Sequence, residues 1–88
     1  MVIIMNILSK ESLSKIINNI LKDQIITPQR FDDDFENYGV DSISFIKIIV
    51  SVEDAYNIEI PDSKLIYSEL NSVNKMFDTI LPLVYDYE

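Results

Sequence analysis

The chain is 88 residues long, 48% apolar and 25% charged, with one Gly, three Pro, no Cys and no His. It reads as one ordered domain spanning 1–88, and it excludes disulfides, thiol nucleophiles, His-based catalysis and the commonest zinc ligands. The net charge of −8 is uneven: residues 1–30 set Lys10, Lys15, Lys22 and Arg30 against Glu11 and Asp23, whereas residues 31–88 set thirteen acids against Lys47, Lys64 and Lys75, a surface that repels phosphate backbones and argues against nucleic acid as a partner.

Met1-Val2-Ile3-Ile4-Met5 is apolar, but it lacks the basic lead-in and the length of a signal peptide. No apolar run spans a bilayer, so no membrane partner is expected and the cytoplasm is the expected address. Residues 1–8 and 83–88 are expected to be tails that pack or fray. Leu13, Ile16, Ile17, Ile20 and Leu21 fall on one stripe of a 3.6-residue period and predict an amphipathic helix over about 9–22. Ser9 is its expected N-cap.

A long connection follows, from about Asp23 to Val40, with Pro28 breaking any helix. Ile25, Ile26, Phe31, Phe35 and Tyr38 are spaced irregularly, like anchors pinning a loop to a core. A loop of this length points to function or special packing. Asp32-Asp33-Asp34 invites a calcium reading, which fails. Counting from Asp34 puts Gly39 at the sixth loop position but Phe45 at the twelfth, where a bidentate Glu is needed. The run is expected to be a solvated acidic loop with no metal.

Gly39, the only glycine, sits just before the next helix, where a positive φ would call for it. Asp41 is the expected cap and Ser42 opens the first turn of an unbroken helix over Ser42 to Tyr56. On a helical wheel Phe45, Ile48, Ile49, Val52, Ala55 and Tyr56 share one sector, the core face. Ile43, Ile46 and Val50 form a second apolar sector flanked by Lys47, Glu53 and Asp54, and this one is expected to stay exposed as a contact site. Ile58 and Ile60 predict an extended plug that ends at Pro61. Asp62 or Ser63 is expected to cap a short helix containing Leu65, Ile66 and Tyr67. Asn71 or Ser72 is expected to cap a last helix carrying Val73, Met76, Phe77, Ile80 and Leu81, ended by Pro82. The expected architecture is all-α: a small bundle of three longer helices plus one short helix, with a long loop between the first and second.

Catalysis within the chain is not expected. Ser42 has no His to activate it, and nothing pairs two acids in an enclosed pocket. Ser42 is, however, well placed to be modified. A first-turn serine meets free backbone N–H groups and the positive end of the helix dipole, which favour a phosphate ester.

The segment Tyr38-Gly39-Val40-Asp41-Ser42-Ile43 resembles the attachment motif of acyl carrier proteins, and Asn57-Ile58-Glu59-Ile60-Pro61-Asp62 resembles the segment after that family's second helix. The likeness covers about residues 9–81. It implies that Ser42, framed by Gly39 and Asp41, receives 4′-phosphopantetheine from coenzyme A through a phosphopantetheinyl transferase, which supplies the metal ion. The arm's thiol would hold an acyl or aminoacyl group as a thioester. Loading, synthase and tailoring enzymes would dock on the second helix through Ile43, Ile46 and Val50, with Asp41, Glu53 and Asp54 as acidic contacts. Ser44 and Lys47 stand where fatty-acid members usually have acids. The resemblance therefore implies a monomeric carrier, not an enzyme, in a specialised polyketide or nonribosomal peptide pathway; Val40 favours acyl over peptidyl carriers. The alternatives are a peptidyl or aminoacyl carrier, an unmodified adaptor using the second-helix patch, and an acidic nucleic-acid mimic that inhibits a basic protein.

Overall fold

The computed structural model describes residues 7–22 and 24–85. Four α-helices are present: α1 (Lys10–Ile20), α2 (Ser42–Tyr56), α3 (Tyr67–Leu70) and α4 (Val73–Val84). Three 3₁₀ turns, Pro28–Arg30, Phe35–Tyr38 and Asp62–Lys64, punctuate the connections, and the described residues contain no strand. The expectations for residues 1–6, for Asp23 and for 86–88 lie outside the described residues.

Each helix begins where a short polar side chain can meet its free N–H groups. Ser9 caps α1, and Ser12 answers it, so that each hydroxyl accepts from the other's backbone N–H at 3.0 Å. Ser72 caps α4 through the Lys75 N–H at 3.1 Å. The core face of α2 is as the wheel implies: Ile48, Ile49, Val52 and Tyr56 are buried, with Phe45 and Ala55 half-buried against them. Leu13 and Ile17 of α1 and Val73, Met76 and Ile80 of α4 complete the interior. Helix α1 packs on α2 and α4, and α3 packs on α4. Asn57, at φ 54°, turns the chain out of α2, and Ile60 enters the core as the expected plug.

Three local expectations need correction. The short helix is not capped by Asp62 or Ser63. Those residues form a 3₁₀ turn, Leu65 leaves it at φ −85° and ψ 64°, and α3 starts only at Tyr67. Leu65 and Ile66 are exposed, so no core contact holds them in a helix, whereas Leu70 is fully buried. Pro82 does not end α4, which runs on to Val84. A proline this near the C-terminus forfeits one N–H, but the Tyr85 N–H still reaches the Leu81 carbonyl at 3.2 Å. At the chain ends, expected to pack or fray, Leu8 is buried, and Leu83 and Val84 pack on the core.

Finally, Asp32-Asp33-Asp34 is not merely solvated. Asp32 accepts from the Asn74 amide at 2.6 Å and Asp33 from the Tyr38 hydroxyl at 2.9 Å. Asp34 accepts from the Glu36 N–H, the Tyr67 hydroxyl and the Asn71 amide, each at 2.8 Å. Two backbone bonds lie alongside, Phe35 N–H to Asn71 at 2.8 Å and Asn74 N–H to Phe31 at 3.1 Å. The long connection is thereby fastened to α3 and α4. Ile26, Phe31, Phe35 and Val40 sink into the core beneath it, while Ile25 stays exposed.

Phe35 is fully buried under this fastening. Phe35→Ala is expected to cost about 3–5 kcal/mol, read as a lower denaturation midpoint in urea.

Candidate functional site

The site is the junction between the long connection and α2. The 3₁₀ turn Phe35–Tyr38 closes on Gly39, which adopts φ 76° and donates its N–H to the Glu36 carbonyl at 3.1 Å. No atom would meet a Cβ here, so the left-handed backbone alone demands glycine. Val40 then returns to the core, its N–H reaching the Phe35 carbonyl at 3.3 Å. Asp41 follows in an extended conformation. Its carboxylate accepts from the Ser44 N–H at 2.8 Å, and its carbonyl accepts from the Phe45 N–H at 2.8 Å, which starts α2.

Ser42 is therefore the first helical residue, and it is exposed. Among the described residues no hydrogen bond ties down its hydroxyl. The Asp41 carboxyl is held below its ordinary value by the Ser44 N–H, so it stays ionised and keeps the cap in place. A cleft of about 310 Å³ opens beside Ser42, lined by Glu36, Val40, Asp41, Phe45 and Tyr67. The Tyr67 ring meets Phe45 edge-on, with centroids 5.0 Å apart. Burial, then the hydrogen bond to Asp34, pushes the Tyr67 hydroxyl up to about 12. It remains a proton donor, and the neighbouring Asp34 is held low by the Glu36 N–H and by Tyr67.

On the solvent side of α2, Ile43, Ile46 and Val50 are 66%, 60% and 57% exposed. Lys47 and Asp54 are exposed in the same helix. Glu53 is half-buried and turned inward, accepting from the Ile60 N–H at 2.8 Å. It helps hold the plug behind α2, a structural task that the sequence reading missed. Tyr67 and Asp34 were missed as well. Their contact joins residues 33 apart, and no local pattern announces it. Among the described residues no cluster of His, Cys, Asp and Glu could hold a metal ion, and no helix is long and apolar enough to cross a membrane.

Helix α2 thus presents an unencumbered hydroxyl at its capped start, beside an exposed apolar face. The family described as "Phosphopantetheine attachment site" matches residues 11–80. A D-alanyl carrier protein of Leuconostoc mesenteroides is 32% identical over 75 residues, covering 85% of this chain and 95% of that protein. An acyl carrier protein of Tropheryma whipplei is 36% identical over 74 residues, covering 81% and 84%. An acyl carrier protein of Cyanophora paradoxa is 31% identical over 80 residues, covering 86% and 76%. No solved structure matches the chain significantly. The chain belongs to the phosphopantetheine-binding carrier protein family. The cofactor is 4′-phosphopantetheine, covalently attached. An exposed hydroxyl with open space around it fits such a group.

Asp34 and Asp41 both titrate below the ordinary carboxylate value of 3.8. Their stabilising contribution is complete above that value and is lost as pH falls through the lowered ones. Unfolding followed from pH 6 to pH 2 should show stability falling below about pH 4. Asp34→Asn should be less stable at pH 7 and show a shallower fall in acid.

Proposed function

We propose that this chain carries acyl or aminoacyl cargo as a thioester on 4′-phosphopantetheine attached to Ser42. The observation that supports this best is the position of Ser42: first residue of α2, exposed, unpartnered among the described residues, and preceded by a left-handed Gly39 and a capping Asp41. When bound, the arm contributes the reactive sulfur that the cysteine-free chain lacks. The chain's own residues do the rest. Gly39 makes the turn that lifts Ser42 clear of the loop. Asp41 fixes the start of the helix. The free N–H groups of the first turn and the helix dipole favour the negative phosphate ester.

Carrier proteins are modified by a phosphopantetheinyl transferase and work with acyl-loading enzymes. Here the reading is that such partners seat on Ile43, Ile46 and Val50, with Lys47 and Asp54 supplying charge at the rim. Contacts of this kind set encounter rate and partner choice more than raw affinity. Glu53 is a weaker candidate because it is already bonded to Ile60. Lys47 interrupts the acidic surface in the middle of that face, and it supports a dedicated carrier in a specialised polyketide or nonribosomal peptide pathway. The chain is read as a non-catalytic, cytoplasmic monomer that partner enzymes act upon. An aminoacyl cargo is the second reading, favoured by the relatives that are D-alanyl carrier proteins.

Incubation with coenzyme A and a promiscuous transferase should add one prosthetic group, read by intact mass. Ser42→Ala should fold normally and accept none. Loading of the variant would refute the assignment. Ile46→Asp should still be loaded when transferase is in excess, but it should weaken partner-enzyme binding by about tenfold or more, read by calorimetry. Unchanged binding would remove Ile46 from the docking face.

A further inference from the structure

We infer that Tyr67, held against Phe45 and fastened by Asp34, is a plug that shuts the interior of the bundle to cargo and so restricts this carrier to short or polar groups held outside the core. The inference rests on the proposed attachment at Ser42 and names the class of cargo.

The apolar cleft beside Ser42 lies within reach of a tethered group, and a long apolar chain would gain by leaving water for any such space. What lies behind the cleft therefore decides which cargo is favoured. Phe45 and Tyr67 are the aromatic residues that line the cleft. One turn further along α2 from Phe45 stands Ile48, and one turn further along α3 from Tyr67 stands Leu70; both are wholly buried, and neither lines the cleft. Phe45 packs against the core, and the Tyr67 ring meets it edge to face at 5.0 Å.

Tyr67 is not free to swing away. Its hydroxyl donates to Asp34 at 2.8 Å, and Asp34 is held in turn by the Glu36 N–H and the Asn71 amide. The bond runs from the long connection to α3, so opening the cleft inward would break a contact between two parts of the fold. Tyr67 is a specificity-determining residue in this account; it takes no part in attachment.

The test loads Ser42 with acetyl- or octanoyl-phosphopantetheine from the corresponding coenzyme A thioesters, using a promiscuous transferase. Methyl NMR shifts of Ile48, Val52 and Leu70 and the thermal midpoint are then compared. In the native chain the two loaded forms should have the same core shifts and the same midpoint. In Tyr67→Ala the octanoyl form should move the Ile48 and Leu70 methyls and melt about 4 °C or more above the acetyl form. Tyr67→Phe keeps the ring but drops the fastening, and should show a smaller change of the same sign. Core shifts that depend on chain length in the native protein would overturn the plug, and that comparison stands even if Tyr67→Ala fails to fold. Identical acetyl and octanoyl forms of a folded Tyr67→Ala would also overturn it. Intact mass reports loading separately: a chain that takes neither group at Ser42 removes the attachment reading, and the plug falls with it.

Discussion

The arrangement depends on one carboxylate. Asp34 gathers the Glu36 N–H, the Tyr67 hydroxyl and the Asn71 amide, and so binds the long connection between α1 and α2 to α3 and the turn after it. A connection of that length costs conformational entropy to order, and the charged hydrogen bonds together with the buried Phe31 and Phe35 offset that cost. Once the loop is fixed, the turn at Gly39 has a fixed origin, Asp41 meets the start of α2, and Ser42 comes to rest at the surface. The position of Ser42 is set through the loop and the Asp41 cap.

This explains a division of labour within α2. One face is bound into the core through Ile48, Ile49, Val52 and Tyr56; the other leaves Ile43, Ile46 and Val50 in water. An exposed apolar patch carries no folding benefit, and patches of this kind are surfaces through which proteins make contacts. On the proposed reading, the chain contributes position and display, and the chemistry belongs to the attached group and to its partners.

Much of this was readable from residue order alone. Helix periods, the caps at Ser9, Asp41 and Ser72, the left-handed glycine and the exposed sector of α2 are all local, because each depends on residues within a turn or two of one another. The motif around Gly39, Asp41 and Ser42 is equally local. What escaped were contacts across the fold. Asp34 meets Tyr67 and Asn71 over gaps of 33 and 37 residues, so an acidic run that looked solvated proved to be a fastening. Glu53 looked like part of a charged rim but bonds the Ile60 N–H. The start of α3 was misplaced because Leu65 and Ile66, apolar on paper, face water, and the extent of α4 was misjudged because a proline near a helix end removes only one bond.

The most direct measurement is peptide mass spectrometry of the protein taken from the cell that makes it. The account predicts a phosphopantetheine ester on the peptide containing Ser42, with any bound acyl or aminoacyl group weighed alongside it. A Ser42 that stays unmodified while the pathway runs, or an ester found on Ser44 or another hydroxyl instead, would contradict it.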